Sequence, residues 1–141
     1  MQEHNIAFVI DLHGMTNRHR MGVAVGTMHG RACDADTILE PFLQAGFTPA
    51  MLPELTSSGP SDWQRLVVDH PRFTGGIRNH TVTRYACESL GVRAVQIELS
   101  SAARIVISPA TADWPREYSG DLLAIYAAFS ALVSLIKQES R

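Results

Sequence analysis

Charge is scarce in this chain and strong basicity is absent. Only 18% of the 141 residues are charged, 12 Lys and Arg against 14 Asp and Glu, for a formal net charge of -2. The basic side chains are scattered instead of gathered in a stripe, which excludes nucleic acid and anionic membrane surfaces as expected partners. Cysteine is nearly missing. Cys33 and Cys87 stand in unlike contexts without C-x-x-C spacing, so neither a disulfide framework nor a redox motif is expected. The N-terminus, Met1 to Asn5, lacks the basic and apolar regions of a signal peptide. The longest apolar stretch, Leu122 to Ile136, is interrupted by Ser130 and Ser134 and is shorter than the roughly 18 residues of a spanning helix. These absences together predict a cytoplasmic protein without a membrane segment.

What remains is ordinary globular material. Hydrophobic residues make up 45% of the chain, enough for a real core and too much for disorder. No repeat, low-complexity tract or linker divides it, so residues 1–141 read as a single domain.

Ile6 to Leu12 is a short β-rich run of the kind expected of a strand covered on both faces. Gly14 to Arg20 reads as a loop and Gly22 to Thr27 as a second strand. Asp34 or Asp36 can cap a helix burying Ile38, Leu39, Phe42 and Leu43, with Pro41 as an internal obstacle. Phe47 to Leu55 reads as extended, at an edge because of Pro49 and Pro53. Ser57-Ser58-Gly59-Pro60 is a turn, and Ser61 caps a short helix through Val68. Asn79 or Thr81 opens a helix that Gly91 ends. Val92 to Leu99 is a strand, with Ala103 to Ser108 extending or pairing with it. Ser119 or Asp121 caps a C-terminal helix to about Glu139, whose Leu122, Ile125, Tyr126, Phe129, Leu132, Val133 and Ile136 form the stripe expected to be buried. Leu123, Ala127, Ala131 and Leu135 make a second apolar face, so this helix is either buried on both sides or meets another subunit, which makes it the candidate homo-oligomer contact. Alternation of strand and helix predicts an α/β three-layer domain with a mixed, mostly parallel sheet.

Two strand ends carry chemistry. Asp11 and His13 share one face of the first strand, where Asp11 can orient the imidazole and leave one ring nitrogen for a metal. A structural His beside a turn Asp has the same spacing. Gln96 and Glu98 share one face of the later strand. A Glu ending such a strand is partly desolvated, which suits it to take a proton from water; a helix cap or salt-bridged Glu fits equally. In open α/β sheets ligands collect at the carboxyl ends of strands. Arg78 and Arg31 are candidates to hold a substrate carboxylate.

Four segments, in their order, resemble an N-formylglutamate amidohydrolase-like protein. They are Val9-Ile10-Asp11-Leu12-His13-Gly14-Met15, then Gly26-Thr27 through Gly30-Arg31-Ala32-Cys33, then Phe73-Thr74-Gly75-Gly76-Ile77, and Ala94-Val95-Gln96-Ile97-Glu98-Leu99. The match covers only the C-terminal two-thirds of that family. It implies a zinc-carboxypeptidase-like fold, here N-terminally shortened. It also implies His13 as a zinc ligand with Asp11 behind it, Glu98 as general base on the zinc-bound water, and Gly75 and Gly76 beside the substrate cleft. The implied function is metal-dependent hydrolysis of the amide bond of a small N-acyl amino acid such as an N-formyl amino acid.

One departure stands out. Zinc hydrolases of this fold take a His and an acidic ligand from upstream of the Asp-x-His strand, where this chain has five residues before Ile6. Catalytic zinc usually has three protein ligands, and one is matched here. Substitutes are sought among His4, His19, His29, Cys33, His70 and His80. The alternatives are a catalytically silent, shortened relative that binds a small ligand or a partner chain, and a fragment whose upstream portion is missing.

Overall fold

The computed structural model describes residues 5–56, 62–105 and 119–141. Five strands and four helices alternate: β1 (Phe8–Gly14), β2 (Val23–Gly26), α1 (Ala35–Gln44), β3 (Thr48–Pro49), β4 (Arg65–Val68), α2 (Val82–Leu90), β5 (Arg93–Leu99), α3 (Ser101–Arg104) and α4 (Leu122–Glu139). The sheet order is β1-β5-β2-β4-β3. Every neighbouring pair is parallel except β2 with β5, so the sheet is mixed and mostly parallel, as its alternating sequence predicts.

The strand period divides the sheet into two unlike faces. Val95, Ile97 and Leu99 of β5 join Val23 and Val25 of β2 in a core with Ile38 and Phe42 of α1, Ala103 of α3 and the alanines of α4. Ala24 and Val67 point the other way, into a smaller cluster with Met15 and Met21. Gln96 and Glu98 share that second side, where α2 packs against β1 and β5. Helices on both faces of the sheet complete three layers.

Local chemistry explains the helix ends. Asp34 caps α1 by accepting from Asp36 N, Thr81 caps α2 through Arg84 N, and Asp121 caps α4 through Leu123 N and Ala124 N. Gly91, in the left-handed conformation, ends α2. Pro41 sits inside α1 without breaking it. A proline there cannot donate to the carbonyl four residues back; that carbonyl, Thr37 O, instead accepts from Gln138 Nε2 of α4 at 2.8 Å.

Several expectations are corrected. β1 is an edge strand bonded only to β5, so it is half-covered, and Leu12 is 54% exposed. Residues 65–68 form β4 instead of the end of a helix, because Leu66, Val67 and Val68 extend into the gap between β2 and β3. Of the extended run from Phe47 to Leu55 only Thr48–Pro49 pairs, and Leu52–Thr56 is a 3-10 turn. Ser101–Arg104 is one helical turn, not a continuation of β5.

The largest correction concerns α4, whose bulkiest side chains, Leu123 of the second face included, lie outside, while Ile125, Leu132 and Val133 of the first stripe are half-buried. Ala124, Ala127, Ala128, Ala131 and Leu135 are buried, while Leu122, Tyr126, Phe129 and Ile136 are exposed. Small residues let the helix axis approach α1 and α3 closely, and the bulky stripe is left outside. The helix also runs past the apolar stretch to 18 residues, long and apolar enough by length and composition to cross a membrane, with 28% of it buried. The turn at Ser57–Pro60, the cap at Ser61, His4 and positions 106–108 lie outside the described residues.

Candidate active site and cleft

Parallel pairing of β1 with β5 sets Asp11 beside Gln96 and His13 beside Glu98. Four polar side chains therefore stand in a two-by-two block on the α2 side of the sheet. His13 Nε2 donates to Asp11 Oδ1 at 2.8 Å. The other Asp11 oxygen accepts from Thr83 N and Thr83 Oγ1 at 3.4 and 3.3 Å, in the first turn of α2. There the unpaired amides of a helix start favour negative charge. Asp11 is thus held from two sides and orients the ring of His13.

Glu98 is 5% exposed. Gln96 Nε2 donates to its Oε1 at 2.8 Å, and His13 Nδ1 lies 3.9 Å from the same oxygen. Burial raises the Glu98 pKa above its ordinary value, against the opposing pull of the Gln96 hydrogen bond and of His13. The carboxyl group is therefore a better proton acceptor than an exposed one. Arg104 spans the neighbouring turn, donating to Leu99 O and Met15 O. A Cβ at Gly14 would come within 2.5 Å of its Nε, so glycine at the end of β1 gives the guanidinium its place.

Beside this block lies a cleft of about 350 Å³ formed by Pro71 to Gly76, Arg78, Asn79, Thr81 and Gln96. Its size suits a small metabolite. Two arginines, Arg72 and Arg78, line it, and among the described residues no acidic side chain does. Gly75 and Gly76 both have positive φ, 84° and 138°. A Cβ on Gly75 would meet Gly26 O at 2.8 Å, and one on Gly76 would meet Arg84 Cβ and Thr81 Oγ1 at 2.7 Å. The pair is needed for backbone conformation and for close packing of the cleft wall.

The remaining candidates lie elsewhere. Arg31 is not among the cleft residues; it pairs with Glu88 at 2.9 Å, and Arg84 reaches the same carboxylate at 3.0 Å. Cys33 is buried, and desolvation pushes its thiol up to about 12, which keeps it protonated and unfit as a metal ligand. His29 faces Asp69 at 3.9 Å. His19 and His70 pack edge-on and tilted against Phe73. Both titrate below the ordinary value, through burial first and then the charge of Arg72, with His70 and Arg18 adding to the effect on His19. His80 lines a second, smaller pocket with Arg84 and Glu88.

Of the ligands that the family resemblance implies for zinc, the described residues supply His13 and no complete set. Asp11 holds Nε2 of the His13 ring, which leaves Nδ1 on the Glu98 side as the nitrogen a metal would use, so the block offers one protein ligand. Among the described residues no group of three or more His, Cys, Asp or Glu side chains can hold a metal ion. Sequence reasoning assigned no role to Arg72, Thr83 and Arg104, and it left Gln96 without one although the period of two put it on the Glu98 face.

No protein-family model, curated protein or solved structure matches this chain.

Proposed function

We propose that this chain binds a small N-acyl amino acid in the cleft beside β5. The observation that carries the reading is the cleft itself: two arginines, no acid among the described residues, and a wall that ends on the Gln96–Glu98 pair. Arg78 takes the ligand carboxylate, with Arg72 adding positive potential. Gly75 and Gly76 form the wall against which the ligand lies. The resemblance to N-formylglutamate amidohydrolase-like proteins, with their zinc-carboxypeptidase-like fold, supports the ligand class and belongs to the same proposal. As a binding domain, the chain needs no metal.

A second reading, hydrolysis of that ligand's amide bond, is favoured by one further observation. Glu98 combines burial and a raised pKa with a neighbouring Asp11–His13 pair. In this reading Glu98 takes a proton from the attacking water and passes it to the leaving amine, and His13, held by Asp11, sits across from it. No step is assigned to zinc, because the described donors do not close around an ion.

Titration of the protein with N-formylglutamate, followed by amide NMR shifts, separates the outcomes. Shifts confined to residues 71–79 and 96–98 support the cleft, and release of formate in the same tube adds the hydrolytic reading. Absence of saturable shifts removes both.

A further inference from the structure

The cleft holds one polar side chain whose position is more demanding than the rest. Gln96 is 7% exposed and lines the cleft, and its amide nitrogen is committed to Glu98 Oε1 at 2.8 Å. A carboxylate can only accept, so this bond sets the amide's orientation. The nitrogen faces Glu98, and Oε1 is the end left over. Among the described residues Gln96 Oε1 has no hydrogen-bond partner, and it is not one of the fully buried unpartnered polar atoms, Thr16 Oγ1 and Ser100 Oγ, so it is an accessible acceptor on the cleft wall. Thr81, another lining residue, offers it nothing: its hydroxyl donates to Gly75 O.

We infer that Gln96 is a specificity residue that accepts a hydrogen bond from the amide N–H of the ligand. The inference rests on the reading of the cleft as an N-acyl amino acid site and deepens it. An N-acyl amino acid carries one N–H between its acyl carbonyl and its α-carbon. With the carboxylate on Arg78, that N–H is the group left to meet an acceptor on the β5 wall. Alternate residues on one face of a strand stand about 6.8 Å apart, so a ligand amide at Gln96 is also within reach of the Glu98 carboxyl. The bond from Gln96 to Glu98 then serves two ends. It holds the carboxylate, and it presents the opposite end of the amide group to the ligand. A ligand with an ester oxygen in place of the N–H would set an acceptor against an acceptor and leave Gln96 Oε1 unpaired.

Calorimetry with two probes tests this. The first is N-formylglutamate; the second is 2-(formyloxy)pentanedioate, its O-formyl ester analogue of nearly the same shape. Wild-type protein is expected to bind the amide about 10-fold or more tightly than the ester. In Gln96→Met, which keeps the side-chain length and removes the acceptor, the ratio is expected to fall to within about 2-fold of unity, with the amide losing affinity and the ester keeping its own. Equal affinities in the wild type overturn the inference without any variant and leave the proposed ligand class standing. A ratio retained in Gln96→Met overturns it as well. Failure of both probes to bind the wild type overturns this inference together with the reading on which it rests.

Discussion

Glu98 and His13 face each other across the β1–β5 ladder, yet their surroundings differ sharply. The Glu98 side chain is 7% exposed and that of His13 is 44% exposed. A carboxyl buried in this way is less stable charged than it would be in water. Its folded pKa lies above the ordinary 4.5, so the folded state holds the proton more tightly than the unfolded chain. Stability from this group is present below pH 4.5 and is lost as pH rises through the raised value. Glu98→Gln removes the penalty and keeps an oxygen for Gln96 Nε2. Its urea midpoint at pH 7 is expected to exceed that of the wild type, and any formate release to drop by about 100-fold or more. A midpoint lower than wild type would show that the charge is well compensated. His19 and His70, both half-buried, run the opposite way. Their folded pKa values lie below 6.5, so the unfolded chain binds protons first on acidification. Stability is whole above pH 6.5 and falls as pH drops through the depressed values. Urea midpoints measured between pH 7.5 and 5 should show that fall, and His19→Gln with His70→Gln should flatten it.

At the scale of elements, the helix caps carry much of the local order. Thr81 has two tasks: its hydroxyl oxygen accepts from Arg84 N to start α2 and donates to Gly75 O in the cleft wall. Thr81→Ala is expected to cost about 1 kcal/mol in chemical denaturation and to weaken ligand binding as well. Thr81→Ser should restore both. An unchanged midpoint would separate the cap from the cleft. Elements with strong local signals were legible from sequence: Gly91 as a stop, the alternation of β5, and the three caps, each narrowed to two residues from which the structure takes Asp34, Thr81 and Asp121. Others were not, because tertiary contacts decide them. β4 is four residues of strand whose partners lie on either side of it, with no local period to mark it. Pro41 looks forbidding in isolation, and the carbonyl it leaves without a helix donor, Thr37 O, is exposed and meets Gln138 of α4.

For the whole molecule, α4 shows where hydrophobic periodicity misleads. Both of its faces are apolar, and volume, not hydrophobicity, separates them: the alanines pack inward against the core and the bulkier side chains stay outside. Leu122, Tyr126 and Phe129 are then 76%, 76% and 69% exposed. We propose this stripe as the surface through which copies of the chain associate. Sedimentation at rising concentration should show a dimer that Tyr126→Ser with Phe129→Ser shifts to monomer, whereas a concentration-independent monomer would remove the proposal. The site was legible in its types and spacing, since Asp11, His13, Gln96 and Glu98 do meet. Its completion was not, because further metal ligands would have to come from distant parts of the chain, and among the described residues none gathers with His13.

The account's central claim is that the arginine-lined cleft holds a small N-acyl amino acid by its carboxylate. Isothermal titration of wild-type protein and of Arg78→Ala with N-formylglutamate tests it most directly. One saturable site in the wild type, weakened about 10-fold or more by the substitution, is the predicted result. No binding, or equal affinity in the two proteins, would contradict it.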